Sequence, residues 1–410
     1  MRRTLTMAVV AAALLVSGGP LLPEAAAGSV NAPVAAGRWS AREAQSFWTA
    51  ERMASAAPLP PVPPERADPA PPEVPEPQEP AEPVEPIEPV EPVEPDEAVP
   101  VATLTPVGTG VPVPAATPAA TPPPTPAPAL TPAPAPTPAA VPAPTRAPSA
   151  PAPLPAPARP AVPPLPALTA GIGQNFDGIP VTGRMFLVKA GGTYFCTASV
   201  VSSPGRNLVL TAAHCLLGSD TQQVAFVPQY TQAKPQPYGM FPVVRDAGGR
   251  SKIWIDQRYR SQGVDRAAAL DVAFAQVGPD ARGFPVEDVV GGNRLRTGAG
   301  YAHARVTLIG YPASAARPRV CVNRTTKFTS ADARIPGSFL RIDCTGYPGG
   351  TSGGPFLTGY DARTGTGDVV GVIGGWKTGG DKVDTSYSSY FGTDIRKLYE
   401  KAVAGAKAQR

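Results

Sequence analysis

From residue 169 onward the chain predicts an all-β fold, a sandwich or barrel, on three observations. Short apolar or alternating runs recur, among them "GRMFLVKA", "NLVLTAA", "DVAFAQV", "ARVTLIGYP", "FLRIDCT" and "VVGVIGG". Gly, Pro, Ser and Asp separate these runs, as turn residues separate the strands of β proteins. Helical spacing is confined to the end, "FGTDIRKLYEKAVAGAKAQ", where Ile395, Leu398, Tyr399 and Val403 form one stripe.

Composition says why the core belongs there. The chain has 410 residues and 57 prolines, and the prolines crowd between Pro58 and Pro166. That stretch is mostly Pro, Ala, Val, Glu and Thr, too poor in large apolar side chains to offset its ordering entropy, so it reads as disordered or extended. Residues 169–405 are then the one region able to bury a sizeable core. The resulting division is a signal peptide over 1–27, a short segment over 28–56, a Pro/Glu/Ala/Thr-rich linker over 57–168 and a folded domain over 169–410.

The opening "MRRTLTMAVVAAALLVSGG" joins two arginines to an apolar run too short for a comfortable membrane span. Small residues at Ala25 and Ala27 place signal cleavage near Ala27, with no stable membrane insertion afterwards. In the next segment, Ser40 to Met53 is an amphipathic helix candidate, and Trp39, Phe47 and Trp48 could pack on the distal domain as a pro-segment would.

Within the linker a glutamate falls at every third position from Glu73 to Glu94. Polyproline II has three residues per turn and rises ~3.1 Å per residue, so these carboxylates would line one edge. The threonine-rich second part, "TPAPALTPAPAPTPAAVPAPT", is uncharged. Together they read as a spacer able to cross a cell wall. The linker carries twelve acidic and three basic residues, net −9, whereas 169–410 carries 28 basic and 17 acidic, net +11. The basic residues are scattered rather than clustered, which argues for solubility and against a nucleic-acid partner.

All four cysteines, Cys196, Cys215, Cys321 and Cys344, lie in the folded part. An even count behind a signal peptide favours two disulfides, most economically Cys196–Cys215 and Cys321–Cys344. A zinc site is the rival reading, weakened by the absence of any C-x-x-C pair.

Chemistry concentrates in two stretches. "LVLTAAHCLLG", residues 208–218, holds His214, one of two histidines in the chain. "DCTGYPGGTSGGPFL", residues 343–357, sets Ser352 among Gly349, Gly350, Gly353 and Gly354. A nucleophilic serine needs an exposed hydroxyl and bare amides beside it for a developing oxyanion. "GTSGG" also matches the nucleophile elbow of α/β-hydrolases, but those place their histidine after the serine. Both His214 and His303 precede Ser352, so only the order His, Asp, Ser is open. His214 is the better base, since the strand before it and Cys215 beside it can hold the ring rigidly.

"TAAHC" with "GGTSGGP", and "LDVAF" at 270–274 between them, resembles the chymotrypsin-like serine protease family over about residues 179–400. The resemblance extends to its bacterial secreted branch, nearer the glutamyl endopeptidases than the digestive trypsins. It implies two packed six-stranded β-barrels with a C-terminal helix, and a serine endopeptidase acting on protein or peptide substrates without a metal or organic cofactor. It implies Ser352 as nucleophile, His214 as base and Asp271 as the acid, with Asp265 as rival, and the amides of Gly350 and Ser352 as oxyanion hole. Gly346, where trypsins carry an acid, and "GVIGGW", with Ile373, Gly374 and Gly375, would line the substrate cleft. Ile373 stands where glutamyl endopeptidases have histidine, so a neutral substrate side chain is the default. Thr351 replaces the aspartate that pairs with a freed amino terminus in the digestive enzymes, so activation by insertion of that terminus is not expected. A binding protein on a protease scaffold and a secreted esterase are the competing functions.

Overall fold

The computed structural model describes residues 39–60, 158–159 and 161–406. The signal peptide and nearly all of the spacer, with its glutamate period, lie outside them. In chain order the longer strands are β1 Thr182–Lys189, β2 Gly192–Val201, β3 Leu208–Thr211, β4 Gln222–Pro228, β5 Ile253–Ile255 and β6 Ala273–Gln276. These are followed by β7 His303–Gly310, β8 Arg319–Thr329, β9 Ser338–Asp343, β10 Pro355–Asp361, β11 Thr366–Val372 and β12 Thr385–Ser389. The helices are α1 Ala41–Phe47, α2 Ala50–Ser55, α3 Ala213–Leu216, α4 Gln257–Arg266, α5 Val286–Val290 and α6 Thr393–Gly405.

The strands form two curled sheets. The first runs β4-β1-β2-β3-β6-β5 and the second β11-β10-β7-β8-β9-β12. Each is eight-stranded rather than six-stranded, because a two-residue strand is added at two places on each: Ala57–Pro58 and Phe241–Pro242 on the first, Gln174–Asn175 and Arg294–Leu295 on the second. A bridge between Val243, next after the Phe241–Pro242 strand, and Val277, next after β6, joins the two sides of the first sheet.

Local chemistry explains the elements. β1 and β2 meet through Ala190 and Gly191, both at positive φ (47° and 78°), the requirement of a two-residue hairpin whose twist matches the strands. In β3 the alternation of side chains sends Val209 into the interior of the first sheet and Leu208 and Leu210 into the core it shares with the second. Its partner β6 does the same with Ala273 and Ala275 against Phe274. Both faces are buried, which is why "NLVLTAA" reads as a continuous apolar run. The shared core also holds Ile309, Leu357 and Val372 of the second sheet and Ile395, Leu398 and Ala402 of α6. The terminal helix is therefore where its stripe predicts it.

Two helical expectations are corrected. The candidate spanning Ser40 to Met53 is two short helices. Ser40 and Glu43 form a reciprocal cap on α1, but Thr49 caps a new helix through Arg52 N–H, and between them Trp48 turns inward. α4 is a helix that the sequence pattern hides. Its buried side chains are few, Tyr259 and Val264, and Gly263 interrupts it at φ 81°. Asp256 starts it by accepting from Arg258 N–H.

The amino-terminal segment packs on the first sheet. Trp48 is fully buried among Phe186, Phe195, Tyr230 and Tyr311, and its indole N–H donates to Gln223 O at 2.7 Å. Val162, Leu165 and Leu168 pack against the shared core. Cys196–Cys215 and Cys321–Cys344 are disulfides, so the only trio of candidate metal ligands among the described residues, Cys196, His214 and Cys215, offers no thiolate. No helix among the described residues is long and apolar enough to cross a membrane. Because Trp48 fills a closed site, Trp48→Ala should cost about 3–5 kcal/mol, read as a lower midpoint in urea unfolding of the full chain.

Candidate active site

Register brings His214 to Asp271. β3 and β6 are antiparallel and Thr211 lies opposite Ala273. His214 comes three residues after Thr211, on α3, and Asp271 two residues before Ala273, at the end of a single 3-10 turn over Ala268–Leu270. Both side chains therefore leave the same end of one strand pair. His214 Nδ1 is 2.8 Å from Asp271 Oδ2, and His214 N–H donates to Asp271 Oδ1 at 2.9 Å. The Gly375 N–H adds a third contact, 2.9 Å to Oδ2.

Asp271 is fully buried. Burial is the largest single influence on its carboxyl and pushes toward the neutral acid. The His214 ring and the hydrogen bonds from His214 and Gly375 together outweigh it and hold the pKa below the ordinary carboxylate value. Asp271 so held fixes the ring with Nε2 turned away from the carboxylate. Asp265, the rival acid, sits on α4, and among the described residues the hydrogen-bonded and ion-pair partner of His214 is Asp271 instead. His303 starts β7 in the other sheet, its N–H bound to Thr325 Oγ1 at 3.0 Å. The hydroxyl of buried Tyr259 lies close to Asp271, and burial first and then the Asp271 charge keep it protonated.

Ser352 arrives from the second sheet, three residues before β10. Its loop is tied to the first sheet through Thr197, a residue that the sequence did not single out. Thr197 N–H donates to Ser352 O at 2.8 Å and Thr197 Oγ1 to Gly350 O at 2.9 Å. The same hydroxyl accepts from Tyr311 N–H at 2.9 Å, and Thr197 O accepts from Thr211 Oγ1 at 2.8 Å. Two glycines let the loop come this close. Gly353 has φ 82°, and a Cβ there would overlap Thr211 Oγ1 and Thr197 O. Gly350 has φ 94°, and a Cβ would lie 2.6 Å from the Phe195 ring and 2.7 Å from Tyr311 O.

The amides along this loop divide into two sets. Thr351, Gly353 and Gly354 donate to Pro348, Ile373 and Thr351 carbonyls. Those of Gly350 and Ser352 donate to no acceptor among the described residues. Two bare N–H groups flanking a half-exposed serine are what an oxyanion site needs. No hydrogen bond joins Ser352 Oγ to His214 among the described residues; such contacts often tighten only when substrate is bound.

The expected cleft residues fall differently. Gly374 and Gly375 back directly onto Asp271. Ile373 turns its side chain into the core of the second sheet with Tyr347 and Phe356, because its backbone is paired with Gly353 and Gly354. Gly346 lies against the Arg319 guanidinium, which donates to Gly173 O at 3.0 Å and Asn175 Oδ1 at 3.3 Å.

Residues 196–372 match the model of the trypsin-like peptidase domain. No curated protein matches the chain. Among solved structures, the protease Anisep from Arthrobacter nicotinovorans is similar, with 25% identity, TM-score 0.48, and 57% of this chain and 99% of that one covered. The thermostable serine protease AL20 from an extremophilic microorganism gives 22%, 0.46, 55% and 97%, and a Glu endopeptidase 15%, 0.41, 57% and 96%, in the same order. The match places a trypsin-like peptidase domain over residues 196–372, the stretch that holds His214, Asp271 and Ser352.

Proposed function

We propose that the chain is a secreted serine endopeptidase working through Ser352, His214 and Asp271. The observation that carries this reading is the doubly bound His214–Asp271 pair, its histidine three residues beyond the Thr211 against which a serine loop with two unengaged amides packs. Ser352 Oγ forms a bond to the scissile carbonyl carbon as its proton passes to His214 Nε2. The Gly350 and Ser352 N–H groups receive the carbonyl oxygen as it gains charge. The C–N bond then breaks, and His214 returns the proton to the departing amine. Water, deprotonated by the same ring, releases the acyl group from Ser352. Asp271 stays ionised throughout and steadies the imidazolium.

Two disulfides suit an oxidising compartment outside the cytosol. If position 346 faces the substrate, the Arg319 guanidinium beside it disfavours Lys or Arg side chains there.

A fluorophosphonate probe should label the full chain and fail to label Ser352→Ala. Equal labelling of both proteins, or of neither, contradicts the assignment. Thr197→Val removes the hydroxyl that holds Gly350 O and leaves Tyr311 N–H unpaired. Its kcat should fall at least about tenfold, toward the ~10²–10³ typical of a lost oxyanion donor, with KM little changed. Asp271 also predicts an acid limb of stability. Its folded pKa lies below 3.8, so its contribution is present above that value and disappears as pH falls through the folded one. Asp271→Asn should therefore flatten the loss of stability below pH 3.8, measured by urea unfolding at stepped pH.

A further inference from the structure

Pro58 lies against the loop that carries Ser352. Ala57–Pro58 is added in parallel to β2 opposite Tyr194 and Phe195, and Leu59 N–H donates to Phe195 O at 3.3 Å. A Cβ built on Gly349 would come within 3.2 Å of Pro58 Cβ, and the next residue, Gly350, already touches the Phe195 ring. The segment is anchored upstream. Trp48 and Met53 are fully buried, and the indoles of Trp39 and Trp48 donate to Val224 O and Gln223 O at 3.2 and 2.7 Å. A strand edge beside a nucleophile is where an extended peptide docks by its main chain. Here the chain's own backbone holds the Phe195 carbonyl.

Gly375 N–H is bound to Asp271, whereas Phe195 packs against Gly350 of the serine loop. We propose that Ala57–Leu59 is a built-in occupant of the half of the cleft that receives residues beyond the scissile bond. The segment thereby sets specificity: the full chain accepts substrates with a small leaving group and discriminates against peptides extended past the cut. This rests on the Ser352 assignment above. An intramolecular occupant competes at high effective concentration, so discrimination persists at ordinary substrate levels.

The test uses the full chain and a set of peptidyl arylamides, each paired with an internally quenched peptide of the same acyl sequence and four residues beyond the bond. Wild type should turn over an arylamide and cleave its extended partner poorly. Leu59→Pro deletes the donor to Phe195 O, and Pro58→Gly removes the ring against Gly349. Each should raise kcat/KM on the extended peptide about fivefold or more, and leave the arylamide within about twofold. The proposal is overturned if both variants, with wild-type melting, change neither substrate or change both equally. Wild type cleaving both substrates equally well also overturns it. Absence of arylamide turnover together with absence of fluorophosphonate labelling would instead bring down the Ser352 assignment, and this inference with it.

Discussion

Thr197 is the joint on which the candidate site depends. One fully buried residue spends its amide on Ser352 O, its hydroxyl on Gly350 O and Tyr311 N–H, and its carbonyl on Thr211 Oγ1. Thr211 begins the turn that ends in His214, and Tyr311 follows directly on β7. The strand that leads to His214, the loop that carries Ser352 and the second sheet thus share one set of hydrogen bonds. Buried and fully paired, such a network is stiff, since releasing any member leaves another polar group unsatisfied in low dielectric. Cys196, the preceding residue, is bonded to Cys215 beside His214, so the covalent and hydrogen-bonded ties act at one place.

The same arrangement explains how the serine loop keeps its shape with threonine at 351. Thr351 Oγ1 donates to Pro348 O at 2.8 Å, closing a local turn, and Gly353 and Gly354 lock to both sides of Ile373. No ion pair is required. A charge does lie beneath the loop: the Arg184 guanidinium stacks 3.8 Å from the centre of the Phe195 ring and 4.7 Å from that of Tyr230. Burial, the main influence, lowers its pKa to about 10, so it stays cationic at neutral pH. The aromatic faces replace a carboxylate as its partners. Phe195 is held between that cation and Gly350, with Ala57–Pro58 on the backbone edge.

How much of this was legible in the sequence depends on the range of each interaction. Hairpins, buried strands and α6 follow from periodicity and turn residues, which act over a few positions. His214 and Ser352 were visible because each sits in a dense local motif, and the disulfides because each pairs neighbours in the chain. Thr197 was not visible: a threonine in a strand is an ordinary β residue, and its four partners come from residues 14 to 155 positions away. The break at Trp48 was hidden for a related reason. Local spacing favours one helix from Ser40 to Met53, but burying one indole in the first sheet outweighs continuing it. The inward turn of Ile373 was not legible either, because alignment assigns a position along the backbone and says nothing of which way the side chain turns.

The two halves of the site belong to different sheets, and this sets what must stay fixed for them to meet. His214 and Asp271 leave one end of the β3–β6 pair, so their mutual geometry is a matter of strand register within the first sheet. Ser352 belongs to the second, and its distance from His214 depends on how the sheets pack through Leu208, Leu210 and Phe274 against Ile309 and Val372. Close-packed side chains of this kind do not slide continuously. A change in that shared core would act on the serine's approach while leaving the His214–Asp271 pair intact. The burden of alignment therefore falls on Thr197 and the shared core together: one fixes the loop to the strand before His214, and the other fixes the sheets that bear them.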